Sequence, residues 1–208
     1  MIERLPIGLL GSNVYLVYDD QNEGMLVDPG VVEPEPLLRA IRERDLVIHY
    51  ILNTHGHFDH VAGSAHLHRL GASLALHPAD RELMLGGGGS MALGVTFPSP
   101  PPPEVELADG TEITVGSLNI QVVHTPGHTP GSVCLFIPED RALLTGDTLF
   151  AGSVGRTDLP GGSHRMLEAS LRRLMDLPDD IRVYPGHGSP TTIGHERRHN
   201  PWIQALRT

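Results

Sequence analysis

The sequence predicts an α/β (α+β) fold in which two β-sheets are flanked by helices. Three observations carry this. Short apolar β runs are concentrated in each half of the chain. Stretches with helical spacing fall between them. The residues able to do chemistry stand just after β runs, in Gly- or Pro-rich turns. A length of 208 residues with 39% hydrophobic side chains suffices for a single domain spanning 1–208.

The elements follow in order. Val14–Val17 and Met25–Val27 read as strands, the second ending in Asp28-Pro29-Gly30. Residues 34–44 form a helix with Leu37, Leu38 and Ile41 on one face, and Val47–Leu52 is an apolar β run. A helix over Val61–Leu70 stops at Gly71. A short strand, Ser73–Leu76, and a helix, Ala79–Leu85, come next. Gly86 to Pro103 is the most loop-like stretch, read either as a surface connection or as a lid over a substrate pocket. The second half holds β runs at Ile113–Val115, Ile120–Val123, Val133–Ile137, Ala142–Leu144 and Arg182–Tyr184. A helix over Met166–Met175 turns Leu167, Leu171 and Leu174 inward, and a last helix over Glu196–Leu206 is interrupted near Pro201.

Composition removes several functional classes. The formal charge of −10 opposes nucleic-acid binding. The chain has no lysine, so every fixed side-chain cation is an arginine and lysine nucleophiles or Schiff bases are excluded. Cys134 is the single cysteine, which rules out an intrachain disulfide and fits a reducing compartment. No signal peptide and no membrane-spanning apolar run is read, so a cytoplasmic location without membrane association is expected.

The strongest chemical signal is THGHFDH, residues 54–60. On one helix, side chains two apart point about 200° away from each other, whereas on extended backbone they share a side. Because the preceding run is a strand, His55 and His57 can converge just past its end. Asp59 and His60 fall where the chain turns into a helix and can face a second point nearby. Two close metal ions are the natural occupants. His128 in TPGHTPG, Asp147 in TGD and His187 in PGHG each follow a β run, and would join the cluster if those strand ends share one edge. Imidazole and carboxylate without thiolate suit Zn²⁺, Fe²⁺ or Mn²⁺. The other eight histidines, at 49, 66, 68, 77, 124, 164, 195 and 199, are read as surface or packing residues. Asp28 either orients a ligand histidine from behind or forms an Asx turn. Arg156 either anchors a substrate carboxylate or pairs with Asp158, and the ion pair is preferred.

With these motifs in order (LVDPG, THGHFDH, TPGHTPGS, GDTLF, GSVGRTDL, YPGHG and TTIGHERRHNPW) the chain resembles the metallo-β-lactamase superfamily, and within it the short glyoxalase-II-like hydrolases. The resemblance implies an αββα sandwich of two mixed β-sheets, with metals at one sheet edge. It implies that His55, His57 and His128 bind a first metal, that Asp59, His60 and His187 bind a second, and that Asp147 bridges them. The expected cofactor is two divalent ions, Zn²⁺ first, with Fe²⁺ or Mn²⁺ as alternatives.

The implied reaction is hydrolysis of a small-molecule thioester such as S-lactoylglutathione, as in hydroxyacylglutathione hydrolases, with Asp59 as catalytic carboxylate. Glyoxalase II grips glutathione through a C-terminal helical region with basic side chains. This chain ends soon after YPGHG, so a high KM for the glutathione thioester is expected. The alternative is a mononuclear Fe²⁺ persulfide dioxygenase using His55, His128 and Asp147, which shares a GRTD segment like residues 155–158. Lactone or other ester hydrolysis and β-lactam hydrolysis stand behind these. The best-known β-lactamases carry cysteine where Asp147 stands.

Overall fold

The computed structural model describes residues 1–206 as two six-stranded mixed sheets packed face to face, with helices on both outer faces. The first sheet runs in chain order: β1 (Ile2–Leu5), β2 (Val14–Tyr18), β3 (Glu23–Val27), β4 (Val47–Leu52), β5 (Ser73–Leu76) and β6 (Val105–Glu106). The second contains β7 (Glu112–Val115), β8 (Leu118–His124), β9 (Val133–Ile137) and β10 (Ala142–Gly146). A hairpin of β11 (Leu149–Phe150) and β12 (Ser153–Val154) stands apart. The second sheet is completed by β13 (Arg182–Pro185) and β14 (Thr191–Thr192), in the order β14-β13-β10-β9-β8-β7. Helices α1 (Glu35–Glu43), α2 (Phe58–Val61), α3 (Ser64–His68) and α4 (Arg81–Leu85) belong to the first half. Helices α5 (His164–Leu174), α6 (Ile193–His199) and α7 (Pro201–Ala205) belong to the second.

Side chains alternate across a strand, so a strand buried on both faces must be apolar throughout. This is why β2 reads VYLVY. Tyr15 and Val17 point into the layer between the sheets, while Val14, Leu16 and Tyr18 meet the helices of the first half. In β9 and β10 the outward Cys134 and Leu143 meet Leu167, Leu171 and Leu174 of α5, and Leu135 and Leu144 face inward. β8 has one wet face, and it alternates: Leu118, Ile120 and Val122 are buried, Asn119 and Gln121 exposed. Three apolar layers thus separate the four structural layers of the expected αββα sandwich.

The helices differ in detail from expectation. The helix expected over Val61–Leu70 is two short helices, because the chain at Gly63 is pressed against the Pro29 carbonyl; a Cβ there would lie 2.5 Å from that oxygen. The final helix is interrupted where expected, next to Pro201: the Asn200 side chain accepts from the Trp202 amide at 3.0 Å and starts α7. α5 begins earlier than periodicity indicates, at His164, with the Ser163 hydroxyl as its cap. The Gly86–Pro103 stretch is not a free surface connection. Its Gly88 carbonyl accepts from the Phe58 amide at 3.0 Å, and Phe97 packs on the outer core.

Pairing between β3 and β4, β4 and β5, and β10 and β13 is parallel, so the carboxyl ends of β4 and β5 share one edge of their sheet, and those of β10 and β13 one edge of theirs. Gly30, after β3, lies against the turn that follows β4: its Cβ would fall 1.5 Å from the Asp59 carbonyl oxygen. Gly30→Ala should therefore cost about 3 kcal/mol or more through overpacking. Gly110→Ala, at φ +77° with open space around it, should cost only about 1–2 kcal/mol through its left-handed backbone. Urea unfolding of both variants checks the order, and an equal loss would contradict this packing.

Candidate metal centre

The carboxyl ends of β4, β10 and β13 and the β8–β9 loop meet at one edge. His55 and His57 leave β4 on extended backbone, with ψ of 147° at His57, and α2 starts at the next residue. The rings of His55, His57 and His128 lie 4.7–5.0 Å apart centre to centre, and His57 Nδ1 faces His128 Nε2 at 2.9 Å. Asp59 and His60, on the first turn of α2, meet His187 from the loop after β13. His187 Nε2 is 3.2 Å from Asp59 Oδ2, and His60 Nε2 is 3.7 Å from it. Both trios hold ligand atoms within 4.8 Å of one another.

Asp147 stands between them. One carboxylate oxygen lies 3.6 Å from His128 Nε2, and the other lies 3.4 Å from His60 Nε2. His55 Nε2, His60 Nε2 and Asp147 Oδ1 are buried and have no hydrogen-bond partner among the described residues. Such orphaned buried acceptors cost free energy unless something else binds them, and a divalent cation fits their chemistry. The seven residues expected from the sequence are therefore all at one place.

The electrostatics agree with a cation site. Burial and the neighbouring imidazoles His60 and His128 hold His55 well below the usual histidine value, and burial with His128 lowers His57 to about 4. Both are thus neutral and able to donate a lone pair to a metal. Burial would lower His60 too, but the carboxylates of Asp147, Asp28 and Asp59 outweigh it and raise His60 to about 10. The negative field that draws a proton to this nitrogen would equally draw a metal ion. Burial pushes the Asp59 carboxyl up, yet the hydrogen bond from His187 and the charge of His60 prevail and hold it at about 2.

The rings of His60 and His128 are oriented from behind. Asp28, with φ of +51°, accepts from the Thr54 amide and hydroxyl, both at 2.7 Å, and lies 3.0 Å from His60 Nδ1. This contact leaves Nε2 of His60 directed toward the centre. His128 Nδ1 donates to the Arg156 carbonyl at 2.8 Å, leaving Nε2 to point inward. The Arg156 side chain makes two 2.7 Å bonds to Asp158, the preferred ion pair, and also borders the cavity in front of the centre. Its backbone contribution could not have been found from residue type. None of the eight other histidines joins the cluster; His77 and His124, for example, stack on each other at 4.1 Å.

Asp80 was missed by sequence reasoning, which placed it inside an ordinary helix. It is fully buried at the junction of a single 3-10 turn and α4. Its oxygens accept from the Gly56 amide at 2.9 Å, the Thr129 hydroxyl at 2.6 Å and the Gly131 amide at 2.7 Å. One carboxylate thus clamps the HxHxDH turn of the first sheet to the TPGHTPG turn of the second. Asp80→Ala should lower metal affinity about 10–100-fold although Asp80 faces neither trio. His195→Ala and His199→Ala, in α6, should leave affinity unchanged. Competition titration with a chromogenic chelator measures this; equal losses in all three would refute the clamp.

Comparison with known proteins agrees with the geometry. The family model of the metallo-beta-lactamase superfamily matches residues 7–187, which include all seven clustered residues. The hydroxyacylglutathione hydrolase GloC of Haemophilus influenzae is 34% identical, over 98% of each chain. The crystal structure of the B3 metallo-beta-lactamase BLEG-1 superposes with a TM-score of 0.92 at 35% identity, covering 98% of this chain and 99% of that one. The structure of TTHA1623 in a di-iron-bound form gives a TM-score of 0.89 at 44% identity, covering 96% and 99%. By its motifs, its four-layered fold and these matches, the chain belongs to the metallo-beta-lactamase superfamily.

Proposed function

We propose that this chain is a binuclear metal-dependent hydrolase that cleaves thioesters. The observation that carries the proposal is the position of Asp147: Oδ1 lies 3.4 Å from His60 Nε2, and Oδ2 lies between the trios, 3.6 Å from His128 Nε2 and 3.7 Å from His187 Nε2. His55, His57 and His128 would hold one divalent ion, Asp59, His60 and His187 the other, and Asp147 would serve both. Zn²⁺ suits the all-nitrogen trio, while the similarity to a di-iron structure supports Fe²⁺ as well. When bound, such a pair supplies Lewis acidity toward a carbonyl and lowers the pKa of water.

The protein's own groups then have limited tasks. Asp59 borders the cavity and, held at about 2, is a carboxylate at every physiological pH. It is therefore suited to accept a hydrogen bond from the attacking water and aim it, and too weak a base to keep the proton. Water adds to the carbonyl carbon, the C–S bond breaks, and a carboxylate, a thiol and one proton leave. A thiolate leaves with little protonation, so no strong general acid is needed. The similarity to GloC supports a thioester as substrate. Cys134 is buried under α5, where burial pushes its thiol to about 12, so no thiolate takes the place of Asp147.

Metal analysis and kinetics test this. Elemental analysis of fully loaded protein should give two metals per chain, with X-ray absorption placing them about 3.5–4 Å apart. Asp147→Ala should lose both the second equivalent and at least about 100-fold in kcat/KM, corresponding to about 2.7 kcal/mol of transition-state stabilisation. Loaded protein should also hydrolyse S-lactoylglutathione at millimolar concentration without consuming O₂. One metal per chain together with fast O₂ uptake on glutathione persulfide, and no thioester cleavage, would replace the hydrolase with a mononuclear dioxygenase.

A further inference from the structure

The cavity in front of the centre has a volume of about 490 Å³, and its walls say what it accepts. Leu10 comes from the turn before β2, Phe58 from α2, Leu83 from α4, Leu93 from the glycine-rich loop and Leu159 from the segment after β12. Five separate parts of the chain thus deliver apolar side chains to one space. Two of them are poorly covered: Leu10 is 67% exposed and Leu93 60%. Leucines so open to water cost solvation, and isolated ones need no explanation, but here both border the same cavity. Leu10 also adopts φ of +55°, a left-handed conformation that a leucine rarely takes. Met91, 86% exposed, lies two residues from Leu93 in the same loop.

The charge inventory is as one-sided. Among the described residues lining the cavity, Arg156 is the one side chain with a fixed positive charge, and Asp158 already occupies its guanidinium. The chain offers no lysine. A glutathione thioester brings two carboxylates, and among the described residues lining the cavity wall no free cation stands to receive them.

We propose that this cavity selects acyl thioesters whose acyl group is an apolar chain of several carbons, carried on an uncharged thiol, in preference to the charged glutathione thioester. The inference rests on the hydrolase reading above and adds the substrate class. Leu10 and Leu93 would close over the chain while its carbonyl reaches the floor of the cavity. Each methylene that is fully buried would improve binding about fourfold.

The test uses the zinc-loaded protein and the thioesters of N-acetylcysteamine with acetate, butanoate and hexanoate, beside S-lactoylglutathione. The expected result is a kcat/KM for the hexanoyl ester at least tenfold above that for the acetyl ester and for S-lactoylglutathione. Leu93→Ser, at an exposed position, should cut the hexanoyl-to-acetyl ratio at least fivefold. Calorimetry with the matching non-cleavable amides gives a readout that needs no turnover: the hexanamide should bind at least tenfold tighter than the acetamide. A flat ratio, or preference for S-lactoylglutathione, overturns the inference and leaves the hydrolase reading standing. If no thioester is cleaved, the hydrolase reading falls and the amide affinities alone decide this one, equal affinities overturning it. If Leu93→Ser instead converts a dimer to a monomer in sedimentation with selectivity unchanged, the apolar rim is a subunit contact and the inference fails.

Discussion

The structure is organised around a concentration of buried polar charge that the surrounding apolar layers cannot solvate. Asp28, Asp59, His55, His60 and His128 are all buried at the seam between two sheets made largely of Val, Leu and Ile. An ionised carboxylate in such a place is strongly unfavourable unless paired or coordinated. Asp28 is satisfied by three hydrogen-bonding groups, but Asp147 Oδ1 is not. The fold therefore fixes a region of negative potential in which His55 and His57 are held neutral, and a divalent cation is a simple charge balance for it. The contacts behind His60 and His128 keep those two rings aimed at one volume.

Holding them there requires the backbone to come unusually close to itself. A side chain on Gly155 would strike the Asp147 carbonyl at 1.8 Å, as one on Gly30 would strike that of Asp59. The sheets are also tied across the seam. The Tyr15 hydroxyl and the Asn13 amide from the first sheet both donate to the Pro185 carbonyl at the end of β13, at 2.7 and 2.8 Å. The Val133 amide of β9 donates to the Thr54 carbonyl at 2.9 Å, one residue before His55. Relative sliding of the two sheets would thus separate His55 from Asp147, and these bonds oppose it.

Much of this was legible in the sequence because the principal signals are periodic or densely clustered. The two-faced burial of β2 and β3 makes continuous apolar runs, and the wet face of β8 makes alternation. The HxHxDH spacing has meaning only at a strand-to-helix turn, and that is where it is found. What escaped was short or non-local. Strands β6, β11, β12 and β14 have two residues each, too few for a period to show, and β1 is only partly buried, so its IERL carries no apolar run. Asp80 and the Arg156 carbonyl act across 51 and 28 positions of chain, and neither residue type marks the partner it meets. Sequence reasoning saw an arginine side chain near the site, whereas the atom that orients His128 is on its backbone.

The hairpin β11–β12 is fastened from outside. Glu196 of α6 is fully buried; its carboxylate accepts from the Gly152 amide at the hairpin tip, from the Thr191 hydroxyl and from the Asn200 side chain. Asn200 in turn donates to the Ser153 carbonyl at 3.0 Å. Asp147 lies just before this hairpin, and Phe150 within it packs edge-on against His187. Helices α6 and α7 are short and lie at the periphery, joined to the rest by these links, by Arg197 and Arg198 on Asp179, by Arg197 on the Met175 and Leu177 carbonyls, and by the apolar layer under α5. Partial opening of the protein is expected to begin in such a peripheral unit, before the sheets part. Release of α6 and α7 would loosen the segment that carries Asp147 while leaving β4 and its histidines in place. Asp147, which faces both trios, and the Arg156 carbonyl behind His128 would then be displaced ahead of His55 and His57, while the β-structure stays intact.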